Sequence, residues 1–151
     1  MEATRKRTTG FWFLIGFGVL LNITYVLGQT MAVMNYDFAV SIGLQEPVNQ
    51  ITEIGVALNK GFGFGDTPLF VIGIIGLLKR SALGFYAMIG AMAITVYWPI
   101  VTLSTVFFAK GAPGWHFTDY RSYSILLSLI ALYGIWGFWF LYKNRENLVK
   151  N

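Results

Sequence analysis

The sequence predicts an all-α integral membrane protein: an antiparallel four-helix transmembrane bundle with an extracytoplasmic amphipathic helix between spans one and two. Three observations predict it. The chain is 56% hydrophobic and only 12% charged, against roughly 25% charged in a soluble domain. Its apolar residues fall into four runs separated by short polar or basic segments. Its Lys and Arg residues cluster between those runs rather than along one stripe, which fits topology signals better than a phosphate-binding surface. The 151 residues form a single domain. The net charge of +4 therefore does not point to nucleic acid. No cysteine is present, so disulfides, thiolate catalysis and thiolate metal ligation are excluded.

Span one covers about 11–34 and carries no charge. It follows Arg5-Lys6-Arg7, as a secretory signal would, but it is too long for a signal core and lacks an A-x-A site. It is read as a retained span. Span three covers about 82–108 and span four about 124–142. Each has the roughly 20 residues that crossing requires.

Span two, about 66–78, is short. Its apolar stretch PLFVIGIIGLL makes about 16 Å of helix against a core of about 30 Å. Charge decides whether it crosses. If it does, Arg5, Lys6, Arg7, Lys79, Arg80, Lys143, Arg145 and Lys150 are inside, and Lys60, Lys110 and Arg121 are outside. Without the crossing, the basic residues divide almost evenly. The positive-inside rule selects four spans with both termini cytoplasmic, in the cell membrane. Neighbouring helices or local thinning then make up the missing length.

The segment 35–65 is a lid over the outer end. Within it EPVNQITEIGVALNK places Val48, Ile51, Ile54 and Leu58 on one helical face. That helix is too polar to span and suits the outer interface. The following KGFGFGDTP lacks the spacing of a dinucleotide fingerprint and the G-K-[ST] of a phosphate loop. It reads as a turn, with Asp66 or Thr67 capping span two and Pro68 in its first turn.

In this topology most ionisable groups of chemical use lie outside. Asp66, Glu53, His116 and Arg121 are the candidate catalytic groups, acting as acids, base or charge anchor at the outer interface. The plain alternative is that these groups cap helices or form exposed ion pairs, which contribute about 0–1 kcal/mol. A single histidine and no H-E-x-x-H leave no metal site expected, and no cofactor is implied. Within the spans, Asn22, Tyr25 and Gln29 share a face by three-and-four spacing. Pro99 predicts a kink beside Tyr97 and Trp98. These five residues are the expected lining of a ligand cavity between spans one and three; their other reading is interhelical hydrogen bonding. The small residues Gly134 and Gly137 on span four predict close helix approach.

A compact four-span chain with both ends inside resembles, in outline, the sterol-isomerase and emopamil-binding group. That resemblance implies carboxylates and histidines within the membrane. No carboxylate or histidine lies deep in a span here, so none of that group's residues carries over.

The function expected from these features is that of a non-enzymatic binding or accessory subunit. Its site, for a lipophilic ligand or a partner membrane subunit, lies in the outer half. The alternatives are an enzyme using outer-face carboxylates on a lipophilic substrate, and a transporter or channel subunit. The expected surroundings are the lipid bilayer, with no nucleic acid and with a homo-oligomer open.

Overall fold

The computed structural model describes residues 7–42, 66–109 and 120–149. The described residues are predominantly helical. α1 spans Thr9–Met34, α2 Tyr36–Ser41, α3 Asp66–Leu78, α4 Ala82–Ala109 and α5 Tyr120–Leu148. Two of them, over Ala82–Phe108 and Tyr120–Leu148, are long and apolar enough to cross a membrane. The helical content agrees with the sequence reading. α5 extends beyond the apolar run at both ends, because the polar YRSY and KNREN segments continue the helical hydrogen bonding. The proposed amphipathic helix and the glycine-phenylalanine turn lie outside the described residues.

The helix ends follow their local chemistry. At α1 the Thr8 hydroxyl accepts from the Phe11 N–H at 3.3 Å, serving one of the four orphan donors of the first turn. At α2 the Asn35 side-chain oxygen accepts from the Phe38 N–H at 3.0 Å. The C-terminus of α3 is the most elaborate. Ser81 N–H donates to the Gly76 carbonyl at 2.8 Å and Arg80 N–H to Leu77 at 3.1 Å. This pair of bonds is a Schellman motif, and it needs a left-handed residue between. That residue is Arg80, with φ 55°, where glycine is usual. The Arg7 guanidinium donates to the neighbouring Leu78 carbonyl. The last carbonyls of α3 are thus served from its own turn and from the start of α1.

Glycine sets the distance between α3 and α4. A β-carbon on Gly76 or Gly84 would strike the other residue's backbone, and one on Gly73 would come within 3.0 Å of Met88 Cα. Leu69 meets Gly90 on the next turns. The contact positions therefore rise along one helix as they fall along the other. α4 and α5 share an extended seam, with Gly134 against Val96 and Gly137 against Met92. Between α1 and α5 the seam is aromatic. The Phe13 and Trp136 rings lie 5.0 Å apart and those of Phe17 and Tyr133 4.5 Å. Tyr133 also donates its hydroxyl to the Leu14 carbonyl at 2.7 Å.

The core is Leu14, Phe70, Leu77, Met88, Met92, Leu127 and Leu141, all fully buried. Large apolar side chains also cover the outside. Leu20, Ile23, Ile75, Leu83, Leu129 and Leu132 are among those more than two-fifths exposed. Buried and exposed faces are both apolar, so the helices carry no strong polar stripe.

Candidate functional site

Among the described residues, two of the three buried polar side chains, Asn22 and Asp66, belong to α1 and α3 near the point where these helices meet α5; the third, Thr95, is on α4. Asp66 opens α3, one turn before Phe70, whose ring packs on Gly18 of α1. Asn22 stands one turn beyond Gly18 and donates its amide to the Gly18 carbonyl at 2.8 Å. The Tyr133 hydroxyl comes to the same glycine from α5, within electrostatic reach of Asp66. Asp66 is 5% exposed and Asn22 9%. Both keep a buried oxygen, Oδ1 in each case, that accepts no hydrogen bond.

Two buried acceptors without donors are costly. Each forfeits its hydration for roughly 1–3 kcal/mol, more where the group is charged. Native proteins leave few such groups. What the pair can do chemically follows from its polarity: it accepts hydrogen bonds and it attracts positive charge. A hydroxyl, an ammonium or an amide N–H would satisfy it. Asp66 carries the only carboxyl among these groups, and Tyr133 already spends its proton on Leu14.

The other predicted site residues distribute as follows. Tyr97 is 56% exposed while Trp98 is buried, so these neighbours occupy different faces of α4. α4 runs unbroken through Pro99. The Thr95 hydroxyl donates one turn back, to the Ala91 carbonyl at 2.8 Å. Arg121 is exposed near the start of α5. Glu53 and His116 lie outside the described residues, as do the side chains of Tyr25 and Gln29. The structure places Asn22 and Asp66 each one turn from the Gly18–Phe70 contact, whereas the sequence reading gives them separate roles. It adds Tyr133, which that reading missed. The sequence carries little signal for it: the neighbouring Gly134 meets α4, whereas the Tyr133 hydroxyl goes to Leu14 of α1.

A second feature lies at the opposite end of the helices. A cavity of about 230 Å³ opens among Arg7, Thr8, Phe11, Leu77, Arg80, Phe140, Asn144, Asn147 and Leu148. The sequence reading places its candidate site in the outer half, away from this cavity.

No family model, curated protein or solved structure matches this chain.

Proposed function

We propose that this chain is a four-span, antiparallel membrane bundle that acts as a non-enzymatic binding or accessory subunit. Its site is in the outer half, at Asn22 and Asp66. The occupant is a lipophilic ligand, or a helix of a partner subunit, that presents a hydrogen-bond donor. The observation that carries the reading is the pair of buried Oδ1 atoms without donors.

Membrane placement is supported by the distribution of apolar surface. Contiguous apolar patches on soluble monomers rarely exceed a few hundred Å². Here large apolar side chains face outward on every long helix. Only 33% and 39% of the apolar windows of α4 and α5 are buried, whereas a core helix of a soluble protein is mostly covered. The antiparallel arrangement is supported by the order of the glycine contacts between α3 and α4. The short α3 is supported in its crossing by burial against α4 and α1. Both termini are cytoplasmic in this reading, because Arg7, Lys79, Arg80, Lys143 and Arg145 fall at one end.

A hydrogen-bond donor reaching Asp66 and Asn22 recovers the cost of burying both, so ligand binding is coupled to bundle stability. A second reading, an enzyme acting on a lipophilic substrate, is favoured by one observation: Asp66 is a buried carboxyl within electrostatic reach of the Tyr133 hydroxyl. In that reading Asp66 is the general acid or base.

Native mass spectrometry of protein extracted gently from its own membrane tests the proposal. A stoichiometric small molecule or second chain is expected, and Asp66→Leu is expected to lose it. A bare chain in both cases would sink the binding reading. A released molecule that differs chemically between wild type and Asp66→Asn would favour the enzyme.

A further inference from the structure

We propose that the cavity at the basic end is a binding site for the phosphate headgroup of an anionic membrane lipid. It is separate from the outer-half site, and it rests on the membrane placement argued above. Three properties of the cavity lead there.

The first is its donors. Arg7 and Arg80 come from different elements, just before α1 and in the turn after α3, and both line the same space. Guanidinium groups match phosphate oxygens with paired N–H bonds. Arg7 is held in advance. It donates to the Leu78 carbonyl, and its guanidinium carbon lies 5.1 Å from the Phe11 ring centroid and 5.6 Å from that of Trp12. One carbonyl and two rings hold the guanidinium at the cavity wall, and the group carries five N–H donors in all. Arg80 is fixed through its backbone by the Schellman turn. Thr8, Asn144 and Asn147 add neutral polar groups.

The second is charge. Helix dipoles do not decide the sign here. α1 and α4 begin at this end while α3 and α5 finish at it, so their terminal partial charges oppose one another. Side chains decide. Lys79, Lys143 and Arg145 flank the two arginines, and Glu146 is the one acid among the described residues of this end. In the proposed topology this end meets the cytoplasmic leaflet, whose anionic lipids attract such clusters.

The third is shape. At about 230 Å³ the cavity has room for a phosphate ester, given about 30 Å³ per water. Its remaining walls are Phe11, Leu77, Phe140 and Leu148. A free phosphate has no use for those walls. A phospholipid does, because its phosphate is joined to hydrocarbon that continues along the helices. The combination of guanidinium and apolar lining therefore selects a lipid over a soluble phosphate.

The test is native mass spectrometry of the full chain in detergent, titrated with phosphatidylglycerol or with phosphatidylcholine of the same acyl chains. For wild type, phosphatidylglycerol is expected to bind about tenfold better, as two well-placed cationic contacts imply. Arg7→Gln and Arg80→Asn each remove one of the two contacts and should each cut that preference to about threefold. The asparagine suits the left-handed backbone, so the second variant keeps the turn. Because each preference is a ratio within one variant, altered stability does not mimic the result. Lys143→Gln, outside the lining, should lower the preference by less than either arginine variant does. An equal loss in Lys143→Gln would overturn the site in favour of general surface charge. Displacement of phosphatidylglycerol by inorganic phosphate or glycerol phosphate at equal concentration would overturn the lipid assignment. Flotation with phosphatidylcholine vesicles is run in parallel. A chain that does not float refutes the membrane placement itself, whatever the cavity binds.

Discussion

The two ends of this helix bundle treat buried polar groups in opposite ways. At the basic end, the carbonyls that α3 would leave open are taken up. Gly76 and Leu77 accept from the turn, and Leu78 accepts from Arg7. At the other end, Asn22 and Asp66 each bury an oxygen without a donor. The helix-terminal carbonyls of one end are satisfied, while the other keeps two buried oxygens without donors. The difference teaches where the fold stores uncompensated cost, and such cost in a native structure points to function.

The first way to break this comparison is to disrupt the satisfied end. Gly84→Leu drives a side chain into the Gly76 backbone. Overpacking of this kind costs about 3 kcal/mol, because backbone cannot move aside as a flexible side chain can. Thermal unfolding in a fixed detergent should fall sharply, and an unchanged midpoint would mean that the α3–α4 contact is looser than described. The second acts on the other end. In lipid-stripped protein Asp66→Leu should raise stability by about 1–2 kcal/mol, since it removes an unsatisfied acceptor. A loss instead would show that Asp66 already has an essential partner, and the contrast between the ends would collapse.

Smaller effects sharpen the picture. Arg80→Gly relieves a left-handed backbone that costs an L-residue about 1 kcal/mol. The turn should be stabilised by about that amount in the same assay. A net loss would mean that the Arg80 side chain contributes more than its backbone costs. Gly16→Ala is the mildest change. Nothing lies within 4 Å of a β-carbon there, and alanine is the better helix former by about 0.8–1 kcal/mol in water. A small gain is expected, and strong destabilisation would reveal a neighbour, such as a second copy, packed on that face.

The candidate site was half legible in the sequence. Asn22 stands out because it shares a polar face of span one with Tyr25 and Gln29, and Asp66 because it is an outer-face acid at the cap of span two. Their meeting was not legible. It depends on Phe70 packing on Gly18, which brings two turns of α1 and α3 alongside each other. Tyr97 and Trp98 illustrate the converse. Adjacent aromatics beside a proline suggested one cavity, yet consecutive helical residues lie about 100° apart on a 3.6-residue turn, so one faces outward and the other inward. The basic cavity was hidden because its arginines are far apart in sequence. Each read as a topology signal, and only the return of α3 toward the start of α1 puts both at one opening.

The sequence by itself determined that the chain is helical and where its long apolar helices run, because composition and hydrophobic run length act locally. Tertiary structure alone decided which glycines are contacts. Gly76 and Gly84 are closed by each other, while Gly16 faces open space, although all three sit in similar apolar surroundings along the chain. Where the inner and outer faces of a helix are equally apolar, hydrophobicity cannot say which side packs. If the bundle lies in lipid, as proposed, water exclusion supplies little force between helices, and close fit decides. That fit is a property of pairs of helices, so no single stretch of sequence contains it.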